Sequence, residues 1–133
     1  MSDSGAAAGS RKPALYTLAG IYLLAAVLHL AFPKPFLAIT PTWVPWPAQV
    51  IRFTGLCEAA GALGLLIPSL RRLAGIMLAL YAVCVFPANL NHAFWLGGAH
   101  PSAWRWLYHG PRLLLQPVIV WWPLWASGVI DWP

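Results

Sequence analysis

The chain has 133 residues, of which 60% are hydrophobic and 8% charged. Soluble domains carry roughly 25% charged residues, so too little polar surface is available to cover a water-soluble core of this size. The formal net charge of +5 does not point to nucleic acid, because the basic residues are scattered and form no dense patch.

Residues 1–12 are small and polar and read as a disordered tail, with residues 13–133 forming a single domain. The first apolar run, 13–32, follows Arg11 and Lys12. It exceeds a secretory apolar stretch of roughly 7–15 residues and ends in Phe32-Pro33-Lys34-Pro35 rather than at a small-residue cleavage site, so a retained helix is expected. Segment 33–47 alternates Pro33, Pro35, Pro41, Pro45 and Pro47 with Phe36, Ile39, Trp43, Val44 and Trp46. It is too apolar for a free loop and too rich in proline for a continuous helix, which suits an interfacial or re-entrant cap.

The second run, 48–70, is rich in small residues (Gly55, Ala59, Ala60, Gly61, Ala62, Gly64) that let helices approach closely. A tight turn carrying Arg71 and Arg72 makes the third run, 73–96, its antiparallel neighbour. An aromatic loop with Trp95, Trp104, Trp106 and Tyr108 is expected next. The fourth run is 111–130, where Trp121, Trp122, Trp125 and the following Trp132 suit an aromatic belt.

At ~1.5 Å per residue, about 20 residues match a hydrocarbon core roughly 30 Å thick, and lipid enforces helical hydrogen bonding in such runs. The expected fold is an all-α membrane protein: a four-transmembrane-helix bundle with a Pro/Trp-rich interfacial segment between helices 1 and 2. Arg11, Lys12, Arg71 and Arg72 mark one face as cytoplasmic. That implies a multi-pass protein with both termini in the cytoplasm.

Within the four runs the only ionisable Asp, Glu, Lys, Arg or His residues are His29, Arg52, Glu58, His92 and Arg112. Each charge in hydrocarbon costs about 2.5–3.5 kcal/mol on insertion scales and tends to face a protein interior. On the helical rise, Arg52 lies about 6 Å and Glu58 about 15 Å below the outer end of the second run, and His29, Asn89 and His92 roughly 5–10 Å below theirs. Arg112 and Gln116 share a face of the fourth run, as do Asn89 and His92 of the third. All four helices thus offer polar groups to the outer half of the bundle.

Glu58 is too deep to reach water, so it must be neutral or paired with a cation such as Arg52 or Arg112. Two arginines against one glutamate favour an anion or an acidic hydroxyl such as that of a quinol. Cys57 and Cys84 lack the C-x-x-C spacing of a redox pair and read as small hydrophobes. No metal-binding pattern is expected.

These residues resemble the DoxX-like family of small four-helix bacterial membrane proteins. The resemblance rests on His29-Leu-Ala-Phe32-Pro33 with Trp43-Val-Pro45-Trp-Pro47; Gly55-Leu-Cys-Glu58-Ala-Ala-Gly61 with Gly64-Leu-Leu-Ile-Pro68 and Arg71-Arg72-Leu; Phe86-Pro87-Ala-Asn89-Leu-Asn-His92; and Arg112-Leu-Leu-Leu-Gln116. It implies a four-helix membrane fold in a bacterial inner (cytoplasmic) membrane, a link in some members to thiosulfate:quinone oxidoreductases or redox-stress proteins, and family-like positions at His29, Glu58, Asn89, Arg112 and Gln116.

The expected function is a membrane redox-accessory subunit that binds a quinone or quinol, or a small anion, in an outward-facing polar pocket. Glu58 would exchange a proton, His29 or His92 would relay it, and Arg52, Asn89, Arg112 and Gln116 would hold the ligand. A redox partner protein would carry the electrons, and a homo-oligomer is compatible with the sequence. The other classes that fit are a non-redox binding or transport protein for small anions or lipids, and a membrane assembly or scaffold factor.

Overall fold

The computed structural model describes residues 3–94 and 103–131. Trp95 and Trp132 lie outside the described residues, as do the side chains of Trp104 and Arg105. Every regular element among the described residues is helical: α1 (Asp3–Ala31), α2 (Lys34–Ile39), α3 (Pro47–Leu66), α4 (Arg71–Phe94), α5 (Ala103–Leu114) and α6 (Gln116–Ala126).

Two segments, Arg11–Ala31 of α1 and Arg71–Phe94 of α4, are long and apolar enough to cross a membrane. α3 matches them in length, but Gln49, Arg52 and Glu58 dilute its apolar character. The run expected as a fourth span is not one helix. Pro117 offers no N–H to the Leu113 carbonyl and crowds it, and a single turn residue, Leu115, separates α5 from α6. Its backbone stays in the right-handed region (φ −77°, ψ −7°), and bonds from the Leu115 N–H to the Pro111 carbonyl and from the Ile119 N–H to the Leu115 carbonyl bridge the interruption. The aromatic stretch expected as a loop is helical too, since α5 starts at Ala103. At the other end of the chain, α1 begins at Asp3 and runs without interruption through Pro13 into the first apolar run.

The helices close a ring in which α1 packs on α3, α3 on α4, α4 on α6, and α6 back on α1. Three glycines make two of these approaches possible, α3 on α4 and α4 on α6. A Cβ on Gly61 would lie 2.7 Å from Leu78 Cγ, one on Gly64 2.8 Å from Ala74 Cβ, and one on Gly75 2.7 Å from the Pro123 carbonyl oxygen. The core gathers at this end of the bundle, around Leu15, Leu18, Tyr22, Leu65, Leu78 and Ala126. Arg71 Nε donates to the Leu65 carbonyl (2.9 Å), satisfying a C-terminal acceptor of α3 with a cation. Arg11 pairs with Asp131 at 2.7 Å, so the chain's first and last segments meet at this same end.

At the other end α3 and α4 diverge. The gap is roofed by α2 and residues 40–46, which Asn91 Nδ2 holds to α4 by donating to the Ile39 carbonyl (2.9 Å). Trp46 closes the roof in a left-handed conformation (φ 46°), and Pro47 then starts α3 at a position where its missing N–H is harmless.

Candidate functional site

The divergence leaves a cavity of about 540 Å³ between α3 and α4. Its walls are mostly apolar, from Phe36, Ile39, Val50, Ile51, Leu80 and Val85, and its polar lining includes His29, Thr54, Glu58, Tyr81, Asn89 and Arg112. Phe53 (66% exposed) and Leu80 (61%) stand at the rim. Exposed apolar side chains thus flank the cavity.

Glu58 is 4% exposed and belongs to the buried stripe of α3 that includes Ile51, Gly55, Ala62 and Leu65. The Tyr81 hydroxyl donates to its Oε1 at 2.7 Å. His29 Nδ1 lies 2.8 Å from its Oε2, but that N–H is aimed at the Ala25 carbonyl, 2.9 Å away. Oε2 thus has a close electrostatic neighbour and no aligned hydrogen bond. The expected pairing of Glu58 with an arginine is replaced by His29 and Tyr81. The reason is Gly55, where an added Cβ would lie only 3.0 Å from His29 Cβ; with no side chain there, α1 brings His29 against α3. Phe36 of the roof stacks on the His29 ring, centroids 3.7 Å apart.

Arg112 reaches the cavity from α5. One guanidinium nitrogen, Nη2, donates to Asn89 Oδ1, and Nη1 lies 3.1 Å from His92 Nδ1. Its Cζ sits 5.7 Å from the Tyr108 ring centroid.

The structure thus brings His29, Glu58, Asn89 and Arg112 to one cavity, with His92 behind Arg112. Two expected ligand residues lie elsewhere. Arg52 is exposed and stands one position off the buried stripe of α3, so it points away from the cavity's lining residues. Gln116 faces a groove between α4 and α6 beside Val83, Phe86, Val120 and Leu124, and its Nε2 donates to the Ala82 carbonyl (2.7 Å). His29 lines the cavity directly, whereas His92 meets it only through Arg112. Cys57 and Cys84 are free thiols and both line the cavity.

Sequence reasoning overlooked Tyr81 and its edge-to-face neighbour Tyr22, 6.3 Å away. A signal was present: both lie deep in apolar runs, away from the interfacial belts where tyrosine is usually found, and a buried tyrosine hydroxyl usually has a partner.

No curated protein and no solved structure matches the chain. A domain of unknown function (DUF8561) matches residues 18–127, a stretch that includes every cavity-lining residue named above. The chain belongs to the DUF8561 family.

Proposed function

We propose that this is an integral membrane redox-accessory protein that binds a quinol or quinone in the cavity between α3 and α4. The single observation that carries the reading is Glu58 Oε2, a buried acceptor without an aligned donor at the back of an apolar cleft. A hydroquinone supplies what is missing: an O–H for the carboxylate and an apolar ring and tail for the walls.

The membrane setting is supported by α1 and α4, each with only 28% of its candidate span buried. Leu24, Val27, Leu63, Leu73 and Leu80 are all exposed on the outside of the bundle, and the core helix of a soluble protein would be mostly covered. α1 also packs along α3, unlike a segment made to be removed. The reading is a multi-pass bundle in a bacterial inner membrane, with the Arg11, Arg71 and Asp131 end cytoplasmic. The resemblance to the DoxX-like family points the same way.

In this reading the hydroquinone O–H donates to Glu58 Oε2, and the proton passes to the Glu58–His29 pair. Tyr81 holds Oε1, so the carboxylate keeps its aim during the transfer. Complete oxidation of the hydroquinone to the quinone releases two protons and two electrons: one proton goes to the Glu58–His29 pair, the second leaves to water, and both electrons go to an acceptor on a partner protein.

The test uses protein purified in mild detergent. Co-purifying quinone is extracted and quantified, and short-chain quinol analogues are added during thermal unfolding. Bound quinone and a stabilising shift that Glu58→Gln abolishes are expected. Absence of quinone together with no Glu58-dependent shift rejects the reading.

A further inference from the structure

We infer that Arg112, Asn89 and His92 form a second pole of the cavity that binds a phosphate group, free or carried on a lipid headgroup. The inference shares its cavity with the quinol reading but not its chemistry.

Separation is the first argument. Glu58 is fastened to Tyr81 and Arg112 to Asn89, and these two residues are two turns apart on α4, roughly 12 Å along its axis. That exceeds the span between the two oxygens of a single benzoquinone ring. The two anchors on α4, Tyr81 and Asn89, thus set the poles apart along the cavity, which suits Arg112 to a group other than the one Glu58 meets.

Charge is the second. The chain has three Asp and Glu side chains, namely Asp3, Glu58 and Asp131. Asp3 starts α1 and Asp131 pairs with Arg11, both at the opposite end of the bundle, while Glu58 is held by Tyr81 and His29. Among the described residues, no carboxylate is paired with Arg112. Its hydrogen-bond partners are an amide oxygen and a ring nitrogen. Since a guanidinium only donates, His92 Nδ1 is the acceptor there and the ring is neutral. A half-buried cation held by neutral acceptors is left with its full charge, and in a low-dielectric cleft that charge draws an anion.

Geometry is the third. A guanidinium has five N–H donors in a planar fork. Two directions are spent on Asn89 and His92, which leaves donors to spare on a residue that lines the cavity. The Tyr108 ring lies beside the guanidinium and limits its movement. A fixed fork with spare donors matches the paired oxygens of a phosphate.

The experiment uses the full chain in two formats: inorganic phosphate added to detergent-solubilised protein at constant ionic strength, and nanodiscs of phosphatidylglycerol compared with phosphatidylcholine. At least one probe should raise the midpoint of thermal unfolding for wild type and for Arg52→Gln. Arg112→Gln should weaken that response by about tenfold or more, the loss of a charge-assisted fork. A phosphate response assigns the site to a free anion, and a response to phosphatidylglycerol alone assigns it to a headgroup.

Phenylglyoxal modification of wild type, mapped by mass spectrometry, gives a readout independent of the variant's folding: the effective probe should protect Arg112 and not Arg52. Equal modification with and without probe, or an undiminished response in Arg112→Gln, overturns the inference. Glu58→Gln should leave the phosphate response within about twofold, so the quinol reading and this one can fail separately.

Discussion

Tyr81 on α4 donates its hydroxyl to Glu58 on α3 at 2.7 Å, joining the two walls of the cavity at its deep end. Tyr81→Phe removes that donor and leaves Glu58 Oε1 buried without one. Inter-helix hydrogen bonds in membranes are worth about 0.6–1.7 kcal/mol, and an orphaned buried acceptor costs about 1–3 kcal/mol. Unfolding in detergent should show a loss of about 1–2 kcal/mol. In a double-mutant cycle with Glu58→Met, which removes the acceptor at similar length, the two losses should not add; additive losses would mean that the contact carries no energy.

Glycines in the same chain should respond in opposite ways to alanine. A Cβ on Gly75 would crowd Ser127 Cβ (2.5 Å) and the Pro123 carbonyl, and backbone does not yield easily. Gly75→Ala should cost about 1–3 kcal/mol by forcing α4 and α6 apart. Gly20 has nothing within 4 Å of that position, and Gly20→Ala should gain roughly 0.5–1 kcal/mol through the lower entropy of its unfolded chain. Thermal unfolding of the two variants beside wild type checks both signs.

The two thiols offer a probe of cavity occupancy. Cys84 is exposed and Cys57 half-buried, and both line the cleft. A membrane-permeant maleimide should modify Cys84 faster than Cys57, and a bound quinol analogue should slow both. Mass-spectrometric time courses measure the rates. Unchanged rates with analogue present would place the ligand outside the α3–α4 cleft.

Arg52 and Gln116 should be dispensable for the ligand. Arg52→Gln and Gln116→Leu are each expected to leave quinol-analogue affinity within about twofold, as side chains outside a site do. Gln116→Leu should still cost about 1 kcal/mol in unfolding, because the Ala82 carbonyl loses its cross-helix donor. Titration and unfolding of the same two preparations separate the roles.

The helical character of the chain and most of the polar convergence were legible in the sequence. His29, Glu58, Asn89 and Arg112 share one cavity, as expected from rare ionisable groups placed by depth in apolar runs. Depth fixes only one coordinate of a helix position. The other is direction around the axis, which for Arg52 leads away from the cavity: the buried stripe of α3 runs through Ile51, Gly55 and Glu58, and a residue one step away turns about 100° from it. Gln116 lies elsewhere for a related reason, since the turn residue before it changes the phase set by Arg112. Average apolarity hid that interruption, because Pro117 is compatible with a hydrophobic run yet removes a donor from the helix. Tyr81 was hidden by its bulk, which resembles any other apolar side chain until a carboxylate is placed beside it.

The α3–α4 hairpin touches closely at Gly61 and Gly64 and stands apart toward Pro47 and Pro87. Mechanically it is a pair of tweezers, with its joint at the glycines and its jaws around the guest. A small change of volume at the joint is magnified at the jaws. Evolution or an engineer can thus retune which guest is admitted by editing position 64, without altering any wall the guest touches.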